Sequence, residues 1–204
     1  MKLHLYIVIL LLCSSPMAMS QSASSYSREG FELAKLGEYG QALTQYDEAV
    51  RLNPRSANIH YYRGLCQYEL EYFEEAIQSF SYALVINPQH PKAYFYRGRS
   101  KAKLKLWDES IVDYSKALDI EPRNPEYMYY RGMSKGSLGL HITAIEDFTQ
   151  AIKKEDRIGD YYRDRGICWL KLERKDLACE DFEMAVELKA FNAGYYLEKH
   201  CQPK

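Results

Sequence analysis

Four arginines, Arg63, Arg97, Arg131 and Arg165, stand 34 residues apart, and an aspartate follows the last three after sixteen residues, at Asp113, Asp147 and Asp181. Opposite charges repeated at one fixed spacing suit structural ion pairs. No Ser, His and Asp arrangement stands apart from that pattern to suggest a nucleophile and its base. The histidines, His4, His60, His90, His141 and His200, are not at metal-ligand spacing from one another, and the adjacent His200-Cys201 falls short of a zinc set. The glycines follow a period and form no phosphate-binding loop. These residues predict a protein that is not an enzyme and carries no cofactor or metal.

The charge balance narrows the partners. With 27 basic against 28 acidic residues, the chain lacks the basic excess that nucleic acid demands, so no nucleic-acid partner is expected. Hydrophobic residues make up 47% of the chain, enough to bury a core and too many for a long disordered segment. Tyrosine is abundant, at 19 of 204 residues. Those rings need places.

The first twenty residues read as an address. Lys2 gives a basic start, Leu5 to Leu12 a short apolar run, and Ala18 and Ser20 the small residues that precede cleavage, here before Gln21. The run is too short to span a membrane, which takes about 20 apolar residues. A secretory signal peptide over residues 1–20 is therefore expected, with an exported chain, periplasmic or secreted, and no integral membrane span after cleavage. A lipid anchor on Cys13 ranks behind simple cleavage, because large Leu12 occupies the place that wants a small residue. Cleavage takes away one lysine and no acid, leaving 26 basic against 28 acidic residues. Four cysteines then remain. Cys66 and Cys168 recur at one repeat position and suit packing, and export permits disulfides, with Cys168 able to meet either Cys179 or Cys201.

The elements that would position these residues are repeats. Gly30, Gly64, Gly98, Gly132 and Gly166 are 34 residues apart without exception. Ala42, Ala76, Ser110, Ala144 and Ala178 follow at one fixed distance, and the aromatics Tyr46, Phe80, Tyr114, Phe148 and Phe182 at the next. Ala49, Ala83, Ala117, Ala151 and Ala185 complete the stripe, and Pro54, Pro88 and Pro122 close the first three copies. Each unit reads as two helices, for example residues 57–70 and 74–86. Ala76, Phe80 and Ala83 form an i, i+4, i+7 face toward a partner helix. Glycine inside a helix costs about 1 kcal/mol of propensity relative to alanine, so its repetition points to close helix approach. Asn53-Pro54 and Asn87-Pro88 turn one hairpin into the next.

A 34-residue helix–turn–helix with glycine, alanine, aromatic, alanine and proline at these offsets resembles the tetratricopeptide repeat (TPR). The resemblance covers residues 23–192 as units 23–56, 57–90, 91–124, 125–158 and 159–192, with 193–204 as a capping helix and tail. It implies an all-α fold, a right-handed superhelical solenoid of five TPR units plus a C-terminal cap. The arginines then sit at the seventh place of units two to five, where the family more often has leucine and the first unit has Glu29. Asp113 can pair with Arg97 of its own unit or Arg131 of the next, and the second choice also matches Asp181 with Lys199.

In the family, the first helices build a concave wall from unit positions two, five, nine, twelve and thirteen. Carried onto this chain, those positions give a groove of Tyr61, Leu65, Tyr68, Phe95, Tyr129, Met133 and Ile167, edged by the cations Arg99, Lys103 and Arg163. Tyr and Arg are the types that anchor interfaces. The chaperone-binding clamp of the family is absent, because Ser27, Phe31, Tyr61, Tyr62 and Phe95 do not match it and only Arg99 does. The sequence thus predicts an exported scaffold that binds another protein or a peptide segment, with an acidic or carboxyl-bearing segment oriented by the three cations. Two other classes remain open at this point: a structural part of a cell-envelope assembly using the convex face or ends, and glycan or cell-wall binding through the aromatic row.

Overall fold

The computed structural model describes residues 22–201, so the expected leader at 1–20 and its Cys13 lie outside the described residues. Eleven helices follow one another: α1 (Ala23–Lys35) and α2 (Tyr39–Leu52), α3 (Ala57–Glu69) and α4 (Phe73–Ile86), α5 (Pro91–Lys103) and α6 (Trp107–Ile120), α7 (Pro125–Ser137) and α8 (His141–Lys154), α9 (Gly159–Lys171) and α10 (Lys175–Glu187), and α11 (Ala193–Cys201). Local chemistry marks their starts. Pro91 and Pro125 open α5 and α7, where proline's missing N–H is no loss. His90 Nδ1 accepts from the amide of Ala93, and Asn124 Oδ1 accepts from those of Glu126 and Tyr127.

Each hairpin turns through one left-handed residue at the same place: Gly37 (φ 81°), Glu71 (61°), Lys105 (61°), Gly139 (80°) and Glu173 (60°). Three of the five carry a side chain there, at a cost of about 1 kcal/mol each.

The repeated glycine and aromatic pack together inside every hairpin. Tyr46, Phe80, Tyr114 and Phe182 are fully buried and Phe148 nearly so, each flanked by buried small residues such as Ala76 and Ala83 or Ala144 and Ala151. A Cβ on Gly64 would lie 2.7 Å from Phe80 Cε1, and one on Gly166 2.7 Å from Phe182 Cε1. Gly98 and Gly132 stand equally close, at 2.8 Å, to Tyr114 and Phe148. The glycine is what lets the ring lie flat on the neighbouring helix. Full burial of each ring is worth about 1.5–3 kcal/mol.

Hairpins stack in sequence, with each second helix against the next first helix. First helices also touch the first helices of adjacent units, so α1, α3, α5, α7 and α9 form a continuous inner layer. Helix α11 covers the exposed end of α10, where Tyr196 stacks on Phe182 with 5.4 Å between ring centroids. A disulfide joins Cys179 on α10 to Cys201 on α11, with Cα atoms 5.6 Å apart. This corrects the pairing read from the sequence: Cys168 is a free buried thiol facing the inner layer, and Cys179 is the partner of Cys201.

The arginine series is resolved in favour of the same unit. Arg97 forks onto Asp113, with Nε–Oδ2 3.0 Å and Nη2–Oδ1 2.6 Å, and Arg131–Asp147 and Arg165–Asp181 repeat the fork. The third donor of each arginine reaches the preceding unit, at Ser81, Ser115 and Thr149. Asp181 does not meet Lys199, which donates to the Tyr195 hydroxyl at 2.7 Å instead.

Candidate functional site

The first-helix face does not present the flat aromatic row expected from the sequence. Tyr61, Tyr68 and Phe95 are buried, with 7%, 7% and 2% of their surface exposed. The physical reason is the closeness of the first helices. Phe95 on α5 packs against Tyr127 of α7 at 4.8 Å and Tyr130 at 5.3 Å, and Tyr61 packs against His90 at 4.6 Å. Tyr129 is half-buried. Its ring lies 4.7 Å from that of Tyr161, and its hydroxyl donates to Asp164 at 2.7 Å. Arg163 is not a free groove cation either: it is forked onto Asp164, paired with Asp160 and bonded to the Phe191 carbonyl.

What the face offers instead is a set of clefts at one repeated place. The first, about 230 Å³, is lined by Phe31, Ala34, Lys35 and Tyr46 of one unit with Tyr62, Leu65, Cys66 and Glu69 of the next. The second, about 330 Å³, lies between the third and fourth units and is lined by Arg99, Ala102, Lys103, Trp107 and Tyr114 with Tyr130, Met133, Ser134 and Ser137, and by Tyr68 from the second. A third, about 270 Å³, is lined by Met133, Gly136, Ser137, His141 and Phe148 with Asp164, Ile167, Cys168 and Lys171. Neighbouring clefts two and three share Met133, which is 40% exposed, and Ser137.

One residue explains where the wall is indented. Its unit position twelve holds Ala34, Ala102 and Gly136 at the three clefts, too small to fill the space beside the turn. In the second unit the same position is Tyr68, whose ring packs edge-on against Phe73 and Tyr96. Of the expected groove residues, Leu65, Tyr68, Arg99, Lys103, Met133 and Ile167 line clefts, whereas Tyr61, Phe95, Tyr129 and Arg163 support the wall from behind.

Arg99 is the most unusual group on this face. The seventh-position arginines Arg97 and Arg131 are saturated by aspartates. Arg99, among the described residues, has no hydrogen bond and no carboxylate within ion-pair distance. Its guanidinium lies over four rings, 4.8 Å from the centroid of Tyr130, 5.1 Å from Tyr68, 5.6 Å from Tyr96 and 5.7 Å from Phe95. Such cation–π contacts hold the side chain in place while leaving its donors unused. Beneath it, Tyr114 is fully buried and its hydroxyl has no partner. Burial pushes that phenol well above its ordinary pKa, opposed by the Arg99 charge, so it remains a neutral donor.

Trp107, Tyr114 and Tyr130 were not among the groove residues read from the sequence. The signal was there for Tyr114: the framework aromatic is tyrosine in the first and third units and phenylalanine in the others, which gives two clefts a polar floor atom.

A helical hairpin repeated every 34 residues, stacked through a glycine–aromatic contact and carrying its clefts on the first helices, defines a TPR solenoid. The sequence model described as "Tetratricopeptide repeat" matches residues 28–91 and 131–193, and the chain belongs to that family. Its fold is an all-α right-handed superhelical array closed by a capping helix, of the kind that typically serves as a non-enzymatic scaffold for protein partners. The solved structure of MamA 41-end from Desulfovibrio magneticus RS-1 is similar, with a TM-score of 0.79 at 20% identity over 84% of this chain and 97% of that one. So is YrrB, described as a TPR protein with an unusual peptide-binding site, with a TM-score of 0.77 at 20% identity over 87% of this chain and 92% of that one. A thermophilic TPR protein in Thermus thermophilus gives 0.65 at 20% identity over 88% and 98%. No curated protein matches the chain in sequence. At these identities the likeness concerns the fold. No helix among the described residues is long and apolar enough to cross a membrane.

Proposed function

We propose that this chain is a non-enzymatic interaction scaffold of an exported compartment, periplasmic or secreted, and that it seats a peptide segment of a partner protein in the clefts of its first-helix face. The observation that carries the reading is the recurrence of one cleft, walled by positions nine, twelve and thirteen, wherever position twelve is alanine or glycine. Apolar clefts with a few fixed polar groups are the form that small anchors of a partner fill. The solved structure of YrrB, a TPR protein with a peptide-binding site, fits that use of the fold. Export is supported by the sequence of residues 1–20 and by the Cys179–Cys201 disulfide, a bond that persists in oxidising compartments.

Filling the clefts tests the reading. Ala102→Tyr and Gly136→Leu place at two clefts the residue types that the second and fifth units already carry there, at Tyr68 and Leu170. The filled variant should fold and lose capture of partners by the chain from Gln21 onward. Capture that survives moves the interface to the convex side or the ends, where Tyr82, Val85 and Phe191 are exposed. N-terminal sequencing of the protein recovered outside the cytoplasm should begin at Gln21, and recovery only inside the cell overturns export. The buried state of Tyr61 and Phe95 removes the exposed ring row that favoured sugar stacking.

A further inference from the structure

The cleft between the third and fourth units holds two hydrogen-bonding groups with nothing to bond. The Arg99 guanidinium is fixed on four aromatic rings and lacks an acceptor among the described residues. Tyr114 is fully buried among the residues that line the cleft, and its hydroxyl is also without a partner. A buried donor left unpaired is a standing penalty, and native proteins rarely keep one without a use. Here the fold itself does not need the oxygen, since Phe80, Phe148 and Phe182 occupy the same place in three other units.

The chemistry of the two groups agrees. A guanidinium and a neutral phenol are both donors, and Lys103 adds a third at the mouth. The acid on the facing helix, Glu126, lies beyond ion-pair reach; its carboxyl is pushed up by burial, and the Arg99 charge partly offsets this. Three donors with no acid of their own are complementary to a carboxylate. The walls around them, Ala102, Trp107, Met133 and Tyr130, are apolar or aromatic. Because this cleft shares Met133 and Ser137 with the next, a segment leaving one enters the other. A chain that runs on presents a side chain to the first cleft, not its terminus.

We propose that Arg99, Tyr114 and Lys103 form an anchor subsite for an internal acidic side chain, flanked by apolar residues, of an extended peptide segment. The proposal rests on the reading that the first-helix face binds peptides. It names what that face recognises: a charge-assisted hydrogen bond to Arg99 and a second bond from the Tyr114 hydroxyl.

The test is selection of random peptides, joined to a carrier at both ends, on the mature chain. Selected sequences are then remade with both ends blocked, in parental form and with each acid replaced by its amide. Expected are peptides sharing an acidic position beside apolar ones, with affinity falling about tenfold on the change from acid to amide. The same change should have little effect against Arg99→Met, and Tyr114→Phe should weaken parental binding while leaving thermal stability at least as high. If binding is lost on Ala102→Tyr but is indifferent to the acid, to Arg99→Met and to Tyr114→Phe, this proposal falls and the peptide-binding face stands. If only peptides with a free C-terminal carboxylate bind the cleft, the occupant is wrong. If no selected peptide loses binding on Ala102→Tyr, both readings fall.

Discussion

Arg63 reaches backward: its Nε donates to Asp47 of the preceding unit at 2.7 Å, while its Nη1 meets Ser79 of its own unit at 3.4 Å. In the next three units the two acceptors are exchanged. Arg97, Arg131 and Arg165 take the aspartate from their own second helix and the hydroxyl from the one before. Every arginine therefore ties three helices, and only the order of acid and hydroxyl changes. The order has an energetic consequence, because Asp47 is half exposed and Asp113, Asp147 and Asp181 are buried. Position eleven follows the exchange. Gln67 accompanies Ser79, while Lys101 and Lys135 add a second cation to Asp113 and Asp147.

Asp147→Ala strands two partly buried cations and should cost about 3–5 kcal/mol, whereas Asp47→Ala should cost about 1 kcal/mol or less. Urea unfolding of both variants checks the contrast. The triple change Asp47→Ser, Gln67→Lys and Ser79→Asp installs the third-unit arrangement in the second unit and should restore most of what Ser79→Asp alone loses. An Asp147→Ala protein that unfolds like wild type would remove the ion pair from the account.

The glycines separate two physical effects. Gly64→Ala and Gly166→Ala drive a methyl into a buried ring and should lose about 1–3 kcal/mol, while Gly30→Ala, with its nearest atom at 3.1 Å, should lose less. Gly139→Ala meets nothing within 4 Å, yet φ is +80° there, and a loss of about 1 kcal/mol is expected from the backbone alone. Gly139→Asn should recover part of it, since asparagine tolerates that conformation. Thermal melts of the set distinguish the two mechanisms.

Reduction should act on the cap. The Cys179–Cys201 bond closes a span of 22 residues, for which chain entropy gives about 3 kcal/mol. Cys201→Ser, or wild type under reductant, should fray α11 and uncover Phe182, seen as early amide exchange confined to α10 and α11. Uniform destabilisation along the array would contradict a local clasp.

Alkaline pH should loosen the core. Burial pushes the Cys66 thiol from 9.0 up to about 12, Cys168 to about 11 and the Tyr161 phenol to about 12, and it raises Tyr46, Tyr61, Tyr114, Tyr127 and Tyr129 in the same direction. The folded chain thus holds these protons more tightly than the unfolded chain does. Their contribution is complete below about pH 9 and is lost as pH climbs from there through about 12. The urea midpoint should be flat through neutral pH and fall above about pH 9, with the phenolates of Tyr46, Tyr61, Tyr114, Tyr127 and Tyr129 appearing only as the chain unfolds. Free titration of Tyr46, Tyr61, Tyr114, Tyr127 and Tyr129 near pH 10 in a folded chain would refute the burial.

The period of 34, the two helices per unit, the buried stripe and the close helix approach at the glycine were all legible, because each depends on residues in fixed phase along one chain. The five hairpin turns were not: only Gly37 and Gly139 carry the residue that signals a left-handed turn, and Glu71, Lys105 and Glu173 are held there by the packed helices on either side.

The sequence by itself determined the repeat, the solenoid and which residues stand on the first helices, since those follow from local periodicity. Only the tertiary structure decided which of them remain available. Packing between first helices buried Tyr61 and Phe95, and Cys201 met Cys179, because these outcomes depend on distances between units that no spacing within a unit contains, while the rotamers of one helix let Asp160 and Asp164 consume Arg163. The same packing left Arg99 and Tyr114 unpartnered over an open cleft.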